Sequence, residues 1–120
     1  MPARIALLTR LYAAFNRGDF EAFVAELDPA VDWPDQFVGG RVVGLEAMRD
    51  FWTRRDAIVQ VETAPMEFIP LDDGRVAVST NQTVRNLQGR LWSDICVRHI
   101  YTFHEGRVAR MDVAEERDGT

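Results

Sequence analysis

The chain has 120 residues, of which 47% are hydrophobic and 28% charged, values of one globular domain with room for a core and not of a disordered chain. Its net charge of −5 argues against a nucleic-acid partner, and all 14 basic residues are arginine, which excludes a Schiff-base lysine. There is no P-loop or dinucleotide glycine fingerprint, so no cofactor is expected, and the two histidines lack the acidic neighbours of a metal site.

The N-terminal stretch MPARIALLTRLYAAFNRGDF is too short and too interrupted in its apolar residues to span a membrane, and it does not have the form of a cleaved signal. A cytoplasmic protein without a membrane partner is the expectation. Ile5, Leu8, Tyr12 and Phe15, with Leu7 and Leu11, recur at helical spacing and predict a helix over 4–16. Gly18 supplies its stop and Asp19 a cap for a second helix, DFEAFVAEL, which Asp28-Pro29 should end. Val31 to Trp33 reads as a short strand, with Pro34 at an edge or turn. Arg41-Val42-Val43 is a brief extended piece between glycines, and Leu45 to Ile58 a third helix with Leu45, Met48, Phe51 and Trp52 on one stripe.

Thereafter the pattern is extended. Runs over 59–70, 74–87, 90–103 and 107–116 are separated by Asp72-Asp73-Gly74, Asn86-Leu87-Gln88-Gly89 and His104-Glu105-Gly106. Turns this short between long strands predict an antiparallel meander. The whole chain, 1–120, is thus expected to be a single α+β domain: three N-terminal helices on a strongly curved, mainly antiparallel sheet, a cone-shaped α+β barrel with a cavity between the layers. The lone Cys96 cannot form an internal disulfide and is read as a buried, inert thiol.

The segments LYAAFNRGDFEAFVAEL, VDWPD, GLEAMRDFW and HIYTFHEGRVARMDV give the chain a resemblance to the nuclear transport factor 2-like (cystatin-like) superfamily, and within it to the SnoaL-like polyketide cyclase and ketosteroid isomerase branch. The resemblance covers essentially the whole chain. The fold hosts isomerases, cyclases, dehydratases, epoxide hydrolases and pure binders, so it does not fix a reaction. It implies a general-base aspartate after the first strand, which falls on Asp35, and oxyanion groups at positions that hold Leu11 (with Tyr12 next to it) and His99 here. It also implies a homodimer through the outer face of the sheet.

The residues themselves support these positions to different degrees. Asp35 lies among Trp33, Pro34 and Phe37, where a carboxylate is either a general base facing a pocket or a cap for the turn amides. His99 alternates with Ile95, Val97, Tyr101 and Phe103, so on an inward face it would be a proton shuttle or hydrogen-bond donor, or else a satisfied core histidine. An Asp and a His facing one cavity resemble the scytalone dehydratase branch more than the isomerases. Catalysis is therefore expected from Asp35, His99 and Tyr12. The pocket is expected to be lined by Trp33, Phe37, Phe51, Trp52, Phe68, Tyr101 and Met111, its ligand a small hydrophobic molecule. Two functions remain open: cofactor-free acid/base chemistry beginning with proton abstraction alpha to a carbonyl, or non-catalytic binding of a hydrophobic metabolite. Asn81, Thr83, Arg85 and Asp112 could face the cavity or the outside.

Overall fold

The computed structural model describes residues 2–118, with side chains to residue 114. Its elements run α1 (Pro2–Asn16), α2 (Phe20–Val24), β1 (Leu27–Pro34), β2 (Arg41–Val43), α3 (Leu45–Asp56), β3 (Val59–Pro70), β4 (Val76–Asn86), β5 (Leu91–His104) and β6 (Arg107–Asp118). The six strands form one sheet in the order β2-β1-β6-β5-β4-β3, all antiparallel except β1 with β6. The two edge strands, β2 and β3, do not meet, so the sheet stays open. Register shifts at Pro65/Glu67, Val84/Arg85, Arg98/His99 and Thr102/Phe103 insert bulges that bend long strands, and the three helices fill the resulting hollow. This is the expected α+β architecture.

The corner between α1 and α2 is local chemistry. Gly18 adopts φ 73°, its amide donates to Phe15 O and the Asp19 amide to Ala14 O, the paired bonds that close a helix through a left-handed residue. Asp19 Oδ1 then accepts from the Ala22 amide at 3.1 Å and starts α2. Asp19→Ala should cost about 1 kcal/mol, read as a lower urea midpoint at unchanged slope.

The second helix is shorter than expected, and β1 begins at Leu27, before Asp28-Pro29. The Val108 amide donates to Glu26 O, and Leu27 pairs with Val108, so β6 captures the chain as a parallel neighbour as soon as α2 ends. Pro29 is tolerated because the β1–β6 register shifts between Leu27 and Asp32, where no regular ladder bond is required of it. The third helix ends two residues early, at Asp56. The meander agrees with the expected runs to within two residues at every end.

The buried core joins Leu7, Leu8, Leu11 and Tyr12 of α1, Met48, Phe51 and Trp52 of α3, and Val76, Val78, Tyr101, Val108 and Met111 of the sheet. Since Val76 and Val78 are inside, strand alternation puts Asn81, Thr83 and Arg85 on the outer face. Asp112 is outside as well, bound to Arg110 and Arg41. Cys96 is only half-buried, unlike the sealed thiol expected. No helix among the described residues is long and apolar enough to cross a membrane.

Candidate functional site

Between the helices and the inner face of the sheet lies a cavity of about 420 Å³. Its floor is built from Leu11 and Tyr12 of α1, Phe23 of α2, Trp33 of β1, and His99, Tyr101 and Met111 of the sheet, all buried. The rest of the lining includes Pro34, Gln36 and Phe37 of the loop after β1, the buried Phe51 and Arg55 of α3, and Val84 and Ser93 of the β4–β5 end of the sheet. Phe37 is 48% exposed and packs its ring 6.3 Å from that of Phe51, so an aromatic pair flanks the entrance.

One chain of hydrogen bonds runs along the floor. The Tyr101 hydroxyl donates to the Tyr12 hydroxyl at 2.8 Å, and Tyr12 Oη lies 2.8 Å from His99 Nδ1. The Tyr12 and His99 ring planes are parallel to within 3°, while Tyr101 stands at 87° to Tyr12. With Tyr101 donating to Tyr12, the single proton of Tyr12 is assigned to Nδ1, and that assignment leaves the imidazole's own proton on Nε2. That Nε2 is buried and has no partner among the described residues. Burial also governs the charge of the group: desolvation lowers the His99 pKa to about 4, so the ring is neutral at pH 7. Both tyrosines are shifted upward, chiefly by burial, and stay protonated.

The turn after β1 has a different architecture. Asp35 is 7% exposed, but its Oδ1 accepts from the amides of Phe37 at 3.0 Å and Val38 at 3.1 Å. Its own amide donates to Gly40 O and its carbonyl accepts from the Gly39 amide. The carboxylate caps the turn, and Asp35 is not a lining residue, although both its neighbours, Pro34 and Gln36, are. Asp32 is at the surface, paired with Arg41 and Arg110.

Of the residues expected at the site, the structure brings His99, Tyr12, Trp33, Phe37, Phe51, Tyr101 and Met111 to one cavity. Trp52 does not reach it. It packs behind the lining residues Phe15 and Phe23, in an aromatic cluster that also holds Phe20. Phe68 is half-buried against the core, also away from the cavity. Arg55, which sequence reasoning passed over, is the one charged side chain among the described residues that line the cavity. Its place in the last turn of α3 gives it the look of a dipole-complementing surface arginine, as Arg54 is, and only packing distinguishes the two. No cluster of His, Cys, Asp and Glu able to hold a metal ion occurs among the described residues.

Residues 8–111 match the model of the SnoaL-like domain. The chain belongs to the SnoaL-like domain family. No functionally curated protein matches it in sequence. Among solved structures it is similar to TerC co-crystallised with polyporic acid, at 25% identity and TM-score 0.81, over 93% of this chain and 90% of that one. It is also similar to a nuclear transport factor 2-like protein of unknown function from Burkholderia pseudomallei K96243, at 24% identity and TM-score 0.82, over 95% and 91% of the two chains. A proposed polyketide cyclase from Xanthomonas campestris pv. campestris, 20% identical with TM-score 0.80 over 93% and 89%, shares the fold. The SnoaL-like scaffold of this chain carries a cavity in which a neutral histidine backed by two tyrosines is one polar group among several, Arg55, Gln36, Thr63, Gln82 and Ser93 being others.

Proposed function

We propose that this SnoaL-like domain binds a small, flat, hydrophobic molecule with an oxygen acceptor, and that His99 Nε2–H donates to that oxygen. The observation that carries the reading is a cavity-lining histidine whose Nδ1 is held by Tyr12 and whose Nε2, closed off from solvent, has no partner among the described residues. An unmet buried donor costs about 1–3 kcal/mol, and a ligand oxygen that pairs with it relieves this cost. The apolar walls supply the remaining affinity and exclude water, which strengthens the bond. TerC, with the same fold, has been co-crystallised with the small molecule polyporic acid, in keeping with a ligand of this kind.

Two probes of one shape test it: 2-acetylnaphthalene, which has a carbonyl, and 2-ethylnaphthalene, which does not. Calorimetry should show saturable binding of both, with the ketone preferred by about tenfold, and His99→Leu should remove the preference. Equal affinities in the unmodified protein, or no binding of either, would refute the reading.

Turnover is the second reading, and Asp35 is the observation in its favour. The residue sits between two lining residues, and only its Oδ1 takes the turn amides. Swung toward the rim, Oδ2 would serve as the base for a proton alpha to the carbonyl that His99 holds, with Tyr12 passing polarity to the imidazole. Asp35→Asn keeps an acceptor for the turn; on this reading it abolishes exchange of the acetyl protons of bound 2-acetylnaphthalene for deuterium, while pure binding predicts no enzyme-dependent exchange at all.

A homodimer through the outer face of the sheet belongs to the same proposal. Trp92, the extra residue at the bulge between β4 and β5, is 58% exposed. Light scattering after size exclusion should give twice the chain mass, and Trp92→Glu should halve it.

A further inference from the structure

Arg55 is a cation turned inward, although the surface was available to it. The adjacent Arg54 is exposed, as expected for a basic residue in the last turn of a helix, whereas Arg55 is 7% exposed and lines the cavity. Its guanidinium lies over two aromatic faces, 4.6 Å from the Phe15 ring centroid and 4.4 Å from that of Trp52. Stacking of this kind holds the plane of the group in one orientation. One edge is spoken for: Nε and Nη2 both donate to Asp56 Oδ1, at 3.3 and 3.0 Å. Nη1 donates to nothing among the described residues. The neutralisation is incomplete, because the Asp56 side chain is 53% exposed to water while the Arg55 side chain is 7% exposed. Burial pulls the Arg55 pKa down against the upward pull of Asp56. No carboxylate lines the cavity among the described residues to balance the cation from the inside.

We infer that Arg55 is the anion-recognising group of the cavity and that the physiological ligand is an aromatic or enolic acid, ionised at one end and bearing a neutral oxygen at the other. This rests on the pocket reading above and names the substrate class it leaves open. Arg55 packs on Phe15, and His99 is bonded to Tyr12, three residues earlier on α1, so both polar groups stand over the same side of that helix and line the same cavity. A planar acid can lie along the aromatic wall between them, its anionic oxygens on the free Nη1 and its neutral oxygen at the histidine.

The test compares 2-naphthoate with 2-acetylnaphthalene, nearly equal in shape, by calorimetry at pH 7. The unmodified protein should prefer the carboxylate by about tenfold or more, the size of a hydrogen bond to a charged group. Arg55→Gln should bring the ratio of the two affinities to about one. Asp56→Ala, which frees the edge now held by the neighbour, should raise the ratio; it provides the answer should Arg55→Gln fail to fold. A ketone that binds as tightly as the carboxylate, or a preference that neither substitution moves, would overturn the anion assignment while leaving the pocket reading intact. If neither probe binds, the pocket reading falls and the assignment with it.

Discussion

Replacing Tyr12 by phenylalanine should destabilise the protein by about 2–4 kcal/mol, more than a hydroxyl usually contributes, because its oxygen serves two neighbours at once. Tyr12 accepts from Tyr101 and donates to His99 Nδ1, all three groups being buried. Its loss leaves a buried hydroxyl without an acceptor and a buried ring nitrogen without a donor, each costing about 1–3 kcal/mol. Tyr101→Phe is the informative comparison. It removes a terminal donor and leaves only a second lone pair on Tyr12 unused, so about 0.5–1.5 kcal/mol is expected. Urea melts of the two variants should therefore rank Tyr12→Phe well below Tyr101→Phe. Equal losses would mean that the three groups do not form one chain.

Acidification should weaken the fold through His99. Its folded pKa is lowered to about 4 from an ordinary value of 6.5, so between these limits the unfolded chain takes up a proton that the native ring refuses. The contribution is fully present above pH 6.5, declines as the pH falls and is exhausted near pH 4; a shift of this size corresponds to roughly 3 kcal/mol. Other groups titrate in the same range. Half-buried Asp28 is held below its ordinary value by its hydrogen bond to His104, and His104 is held above its own by the same bond. The first therefore adds stability that disappears in acid, and the second adds stability that disappears as the pH rises. Both are untouched by substitution at His99, so the difference between the unmodified protein and His99→Gln isolates the buried ring. That difference should shrink steadily from pH 7 to pH 4. A constant difference would mean that the imidazole titrates as it does in water.

Local signals were enough for much of this architecture. The Asn16–Asp19 corner, the glycine-led third helix and the three hairpin turns are each set by residues within a few positions of one another, and they lie where the pattern put them. Strand alternation likewise put His99 on the face of Val97 and Tyr101, both of them buried. Pairings between distant segments left no such trace. The parallel capture of Leu27 by Val108 moves the start of β1 ahead of a proline that locally looks like the end of a helix. The bond between Tyr12 and His99 spans 87 positions, and neither residue's neighbours announce it. Arg55 and Arg54 are adjacent and chemically identical, yet one is stacked inside and the other is in water, a choice made by the rings of Phe15 and Trp52. Asp35 illustrates the opposite limit. Its setting among aromatics suggests a pocket acid, while the backbone turn it caps is equally written in Pro34 and the glycines that follow.

The central claim is a neutral imidazole with its proton on Nε2, held ready for a ligand oxygen. Long-range proton–nitrogen NMR of the two histidines, with His104→Gln to assign them, reads this state directly. The expected spectrum at pH 6 shows His99 as the neutral Nε2–H tautomer, with Nδ1 at the shift of a hydrogen-bonded acceptor, and the Nε2 resonance moves when 2-acetylnaphthalene is added. An imidazolium at pH 6, or a neutral ring protonated on Nδ1, would contradict it.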